Sequence, residues 1–112
     1  LDICTTHVVQ SRERRMGFKE YRTLLVEALR SKQYINEERA DAEEKNLLQS
    51  GAANEELVVR LLLRCAGWEY STSRHHFRDA DCHIFTPTVG GERWYIKAYW
   101  HRGLAVVVSV HR

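Results

Sequence analysis

The sequence predicts an α+β fold in which two or three N-terminal helices pack on a C-terminal antiparallel β-sheet. Three observations predict it. Apolar residues before Gly67 recur at helical spacing, those after it alternate, and a glycine pair separates strand-like runs. The length of 112 residues suits one domain, expected over 16–112. Residues 1–15 precede the first helical pattern and are expected to form an N-terminal extension. With 44% hydrophobic and 29% charged residues, the composition is that of a globular chain and not of a disordered one.

The first helix is expected from Gly17 to Gln33, where Tyr21, Leu24, Leu25, Ala28 and Leu29 make one apolar stripe. A short extended piece, Tyr34-Ile35, follows. A second helix is expected from Glu37 to Gln49, with Asn36 as N-cap, acids in its first turn and Gly51 just past its end. Asn54 caps a third helix, whose buried face is Leu57, Val58, Leu61, Leu62 and Cys65, and Gly67 ends it. Trp68-Glu69-Tyr70 then opens a strand or an irregular edge. Cys82–Thr86 reads as a short strand, Gly90-Gly91 as a turn, and Arg93–Trp100 and Leu104–His111 as a hairpin.

Strand alternation sorts that hairpin into two faces. Trp94, Ile96, Ala98 and Trp100 share one face, and a turn centred on Arg102 places Leu104, Val106, Val108 and Val110 beside them. The other face carries Tyr95, Lys97 and Tyr99 beside Val107, Ser109 and His111. In this register Tyr95 lies opposite Ser109, and Arg93 opposite His111.

Net charge is only +2, but its distribution is uneven. Acids crowd Glu37-Glu38 to Glu43-Glu44, whereas the segment after Trp68 is locally basic. The three cysteines, an odd count at irregular spacing, are no disulfide framework and suit free, mostly buried thiols in a reducing cytoplasm. No apolar run approaches the roughly 20 residues of a membrane helix, so no membrane partner is expected.

Tyr95, Lys97 and His111 contain the groups that RNA cleavage without a metal or other cofactor needs. A base removes the 2′-OH proton, an acid protonates the leaving 5′-oxygen, and a cation stabilises the charged phosphorane. The same alternation also yields an ordinary solvated face, and the residues alone leave both readings open. The run Arg74-His75-His76-Phe77-Arg78 pairs cations with an aromatic, which fits either nucleic-acid binding or an exposed basic loop. His75, His76, Cys82 and His83 are zinc-ligand types, but their spacing matches no strong template, so no metal is expected. Cys65 and Cys4 lack a local base and orienting group, which argues against a cysteine nucleophile.

Several segments in order resemble a known group. They are Lys45-Asn46-Leu47-Leu48 before Gly51 and Asn54, Trp68-Glu69-Tyr70, Ile84-Phe85-Thr86, Gly91-Glu92-Arg93-Trp94-Tyr95-Ile96-Lys97, and Val107-Val108-Ser109-Val110-His111-Arg112. From Tyr21 to Arg112 the chain resembles the MqsR-type toxins of bacterial toxin–antitoxin systems, small messenger-RNA-cleaving proteins with a RelE-like fold. The resemblance implies an mRNA endonuclease neutralised by a cognate antitoxin, with the ribosome as a further candidate partner. It places the active-site tyrosine at Tyr95 and the basic residue of the last strand at His111. Ser71 stands where the family often has lysine, and Thr86 where it has glutamine; Arg74 is the nearest cation to the former. Lys97, Arg74 and Arg112 are the expected phosphate contacts, with His75, His76, Arg78 and Arg93 completing the basic surface. The competing reading is a non-catalytic RNA- or protein-binding module, as in phage defence or counter-defence.

Overall fold

The computed structural model describes residues 17–38, 42–75 and 80–112. The expected extension at 1–15 and His76, Phe77 and Arg78 of the basic run lie outside the described residues. The elements are α1 (Phe18–Ser31), β1 (Tyr34–Asn36), α2 (Ala42–Lys45), α3 (Leu47–Ser50), α4 (Glu55–Arg64), a 3₁₀ turn (Gly67–Glu69), β2 (Tyr70–Arg74), β3 (Asp81–Phe85), β4 (Thr88–Val89), β5 (Glu92–Arg93), β6 (Tyr95–His101) and β7 (Leu104–His111). The chain therefore has helices first and a sheet last, as the change of periodicity at Gly67 predicts.

Helix α1 begins where Gly17 N–H donates to Glu20 Oε1 (2.8 Å). Helix α4 begins where the Asn54 side chain accepts from Leu57 N (2.9 Å), a cap worth about 1 kcal/mol. It closes at Arg64, three residues before Gly67, which instead starts the 3₁₀ turn.

The main sheet has the order β1-β7-β6-β3-β2. Its β2–β3, β3–β6 and β6–β7 pairs are antiparallel, whereas β1 joins the other edge parallel to β7. That edge explains a difference from the expected helix at 37–49. Asn36 pairs with Val107, and Glu37 N–H donates to Val107 O (2.8 Å), so this stretch extends the sheet rather than capping a helix. Among the described residues of this stretch, the short turns α2 and α3 are helical, separated by Asn46. Asn46 is fully buried and bridges Val110; its side-chain amide donates to Asn36 Oδ1 (3.0 Å), and its Oδ1 accepts from Gln49 N (3.2 Å). Tertiary pairing overrides the helical propensity of the acidic segment.

Leu25, Val26 and Leu29 of α1 and Val58, Val59, Leu61 and Leu62 of α4 bury against Phe85, Ile96, Ala98, Ala105, Val107 and Val110 of the sheet. Each of the valine, leucine, isoleucine and phenylalanine side chains contributes roughly 1.5–3 kcal/mol by leaving water. The face that meets the helices is the inner face; its reverse is the outer face. Tyr34 ties β1 to α4 by donating to Glu55 Oε2 (2.8 Å).

The hairpin register differs from the expected one. His101 pairs with Leu104 across a two-residue turn, in which Arg102 (φ 53°) and Gly103 (φ 80°) are both left-handed. That conformation matches the twist of a tight hairpin. Val106 therefore falls on the outer face beside Tyr99. A bulge between Lys97 and Ala98, facing the extra residue Val108, shifts the pairing again. Beyond it Ile96 pairs with Val110, Lys97 with Ser109, and Tyr95 with His111. Arg93 is not in β6 at all: it pairs with Thr88 in the small β4–β5 ribbon, turned by Gly90 and Gly91.

Candidate functional site

The shifted register brings two of the sequence-singled residues face to face. Tyr95 and His111 are cross-strand partners on the outer face, and their rings stack with centroids 5.1 Å apart and planes 24° from parallel. His111 Nδ1 lies 3.0 Å from the main-chain oxygen of Arg112. An oxygen of that kind only accepts, so Nδ1 carries the hydrogen and the neutral ring keeps its lone pair on Nε2. A half-exposed imidazole nitrogen able to accept a proton thus sits beside a phenol able to give one. Lys97 follows on the same face, between Ile84 and Ser109, and is half-buried.

Beside this pair opens a cleft of about 550 Å³, lined by Trp68, Thr86, Arg93, Tyr95 and Arg112 among others. Glu69 builds its rear wall. Its carboxylate accepts from Ala66 N (2.8 Å) and Thr88 N (3.2 Å). Its main-chain oxygen accepts from Thr86 N (2.9 Å) and Thr86 Oγ1 (3.0 Å). Glu69 therefore joins the 3₁₀ turn to the loop after β3 through its main chain and to Thr88 through its side chain. Arg93 Nη2 donates to Thr86 Oγ1 (3.4 Å), which draws its guanidinium to the cleft. Arg112 lies over the Trp94 ring (4.7 Å from its centroid) and pairs with Glu92 at 3.6 Å, both side chains being exposed. An exposed pair of that kind contributes little energy, so Arg112 keeps its capacity to meet an anion.

The other expected residues fall elsewhere. Arg74 closes β2 at Asp81, with which it forms an exposed ion pair (3.6 Å). It lies three residues beyond Ser71, roughly 10 Å along the strand from the cleft. Arg93 and Arg112 line the cleft, whereas Arg74 does not. His75 is turned inward, its side chain only 8% exposed, and its Nε2 donates to Glu37 Oε1 (2.7 Å). Tyr99 OH donates to the same oxygen (3.1 Å), and the His75 and Tyr99 rings meet edge to face at 4.7 Å. These contacts remove His75 from the accessible basic surface.

On the inner face His83 stacks on Tyr21 (3.7 Å between centroids), with its Nδ1 2.7 Å from the Tyr70 hydroxyl. Burial lowers the His83 pKa and raises that of Tyr70 to about 12. Cys65 and Cys82 are free and buried; burial pushes the Cys65 thiol up to about 11, far from a reactive thiolate. Among the described residues no group of three or more histidine, cysteine or acidic side chains is placed to hold a metal ion, and no helix is long and apolar enough to cross a membrane.

Trp68, Glu69 and Thr86 are site residues that sequence reasoning did not single out for chemistry. Glu69 and Thr86 are distant in sequence and meet only through the 3₁₀ turn. The one local signal is Trp68 itself, a large aromatic directly after Gly67, the glycine expected from the sequence to end the helix. No family model matches this chain, and neither does any curated protein or solved structure.

Proposed function

We propose that the protein is a cytoplasmic endoribonuclease of the toxin class, cleaving messenger RNA by 2′-OH attack and held in check by an antitoxin protein. The observation that carries this reading is Tyr95, which lines a cleft together with two arginines and stacks on His111. His111 Nε2 takes the 2′-OH proton, and the freed oxygen attacks the adjacent phosphorus. The bond from phosphorus to the 5′-oxygen breaks, and Tyr95 supplies the proton that oxygen needs. The products are a 2′,3′-cyclic phosphate and a 5′-hydroxyl. Proton exchange with water returns His111 and Tyr95 to their starting forms. Arg93, Arg112 and Lys97 offset the charge that builds on the phosphorane, the role in which fixed cations are most effective.

The test is incubation of the purified chain with labelled mRNA in the presence of EDTA, beside His111→Ala. Cleavage leaving cyclic-phosphate ends is expected, slowed about 100-fold or more in the variant. RNA left intact by the parent protein sinks the catalytic reading. Ser71, uncharged where the resembled family often has lysine, and Thr86, a hydroxyl where it has the amide of glutamine, favour one alternative, a module that grips RNA without cutting it. That module would bind the same RNA, and binding would weaken as salt rises.

A further inference from the structure

Trp68 faces water although an indole has 150–250 Å² of largely apolar surface to bury, by the usual measure of about that size. The residue is 84% exposed, whereas Trp94 and Trp100 pack against the main core. Nor does it ride on a loosely tied loop. The next residue, Glu69, is buried and receives hydrogen bonds from Ala66, Thr88, both polar groups of Thr86 and the Cys65 thiol. The indole thus stands on a braced support at the cleft that Arg93, Tyr95 and Arg112 also line.

A flat apolar face beside two guanidinium groups suits a ligand that is both planar and anionic. Single-stranded RNA is such a ligand, with an unpaired base next to each phosphate. In a duplex the bases stack on one another and present no free face. We propose that Trp68 is a stacking platform for one unpaired nucleobase of RNA, while Arg93 and Arg112 hold the neighbouring phosphate. This rests on the cleft being the RNA-cleaving site, and it names what that site selects: unpaired RNA over duplex.

The test uses the full chain, Trp68→Phe and Trp68→Ala, with equilibrium binding read by fluorescence anisotropy at low salt. One probe is a short labelled 2′-O-methyl oligoribonucleotide, which lacks the attacking hydroxyl and so stays intact. The other is an abasic backbone of the same length. Trp68→Ala should bind the base-bearing probe about tenfold more weakly or worse. Trp68→Phe should recover most of the affinity, and the abasic probe should bind parent and Trp68→Ala alike. Because the ring is exposed, the alanine variant should remain folded, which a thermal melt checks. Unchanged affinity of Trp68→Ala for the base-bearing probe overturns the stacking platform and leaves the RNA-cleaving reading standing. Equal weakening for both probes also overturns it, since the ring would then act on the cleft and not on a base. A parent protein that binds neither probe overturns both this inference and the reading beneath it.

Discussion

Tyr95 and Tyr99 lie on the same strand and the same outer face, yet their surroundings are opposite. Tyr99 is 2% exposed, packed with Cys82, Val106 and Val108, and its hydroxyl is committed to Glu37 alongside His75. Tyr95 is half-exposed and stacked on His111, at an open cleft. The comparison teaches that alternation defines a face but does not make it a site. One end of this face is closed by the molecule's own contacts, and the other opens on a cleft.

The largest expected effect tests the closed end. Tyr99→Ala should destabilise the fold by about 3–5 kcal/mol, the usual range for truncating a buried aromatic, as read from denaturant unfolding. A cost under about 1 kcal/mol would mean that this end is not a packed cluster.

The next sharpens the open end. Arg93→Ala and Arg112→Ala should each flatten the salt dependence of RNA affinity by about 0.7 in the slope of log K against log salt. Arg74→Ala should leave that slope unchanged, because Arg74 sits at the opposite end of the sheet with Asp81. Equal effects from all three would erase the distinction between the ends.

The smallest separates the site from the core behind it. Burial lowers the pKa of His83 from its ordinary 6.5, so the unfolded chain takes up a proton that the folded chain resists. Stability from this source is therefore complete above about pH 6.5. It falls as pH drops below that, by at most about 1.4 kcal/mol per pH unit. His83→Gln should flatten this dependence in unfolding measured from pH 7.5 to 5.5, values on the order of one unit either side of the usual histidine pKa. An unchanged slope would assign the acid sensitivity to another group.

Much of this contrast is legible in the residues, and its limits have physical causes. The stripe of Leu25 and Leu29, the Asn54 cap and the inward set Trp94, Ile96 and Ala98 follow from periodicity and capping alone. The pairing of Tyr95 with His111 does not, because it depends on a two-residue turn at Arg102-Gly103 and an extra residue at Val108. Neither alternation nor composition reports a bulge. The acidic stretch at Glu37 reads as a helix start because its propensity is local, whereas the β7 edge that captures it is 70 residues away at Val107. The inward turn of His75 has the same origin: Glu37 is its partner across the fold. Arg93 and Arg112 are visible as cations, but only the β4–β5 ribbon and the Glu69 brace bring them to one cleft with Trp68.

The most direct test of the two-ended face is one chemical change made at each end. Tyr95→Phe and Tyr99→Phe each remove a single hydroxyl from the same strand, and each variant is assayed for RNA cleavage and for unfolding free energy. Tyr95→Phe should slow cleavage about 100-fold or more and leave stability within about 0.5 kcal/mol of the parent. Tyr99→Phe should cost about 1.5–3 kcal/mol, the range for a hydrogen bond to a charged group, and cleave at the parent rate. Normal cleavage by Tyr95→Phe, or a loss of cleavage shared equally by a stable Tyr99→Phe, would contradict the assignment of catalysis to the open end.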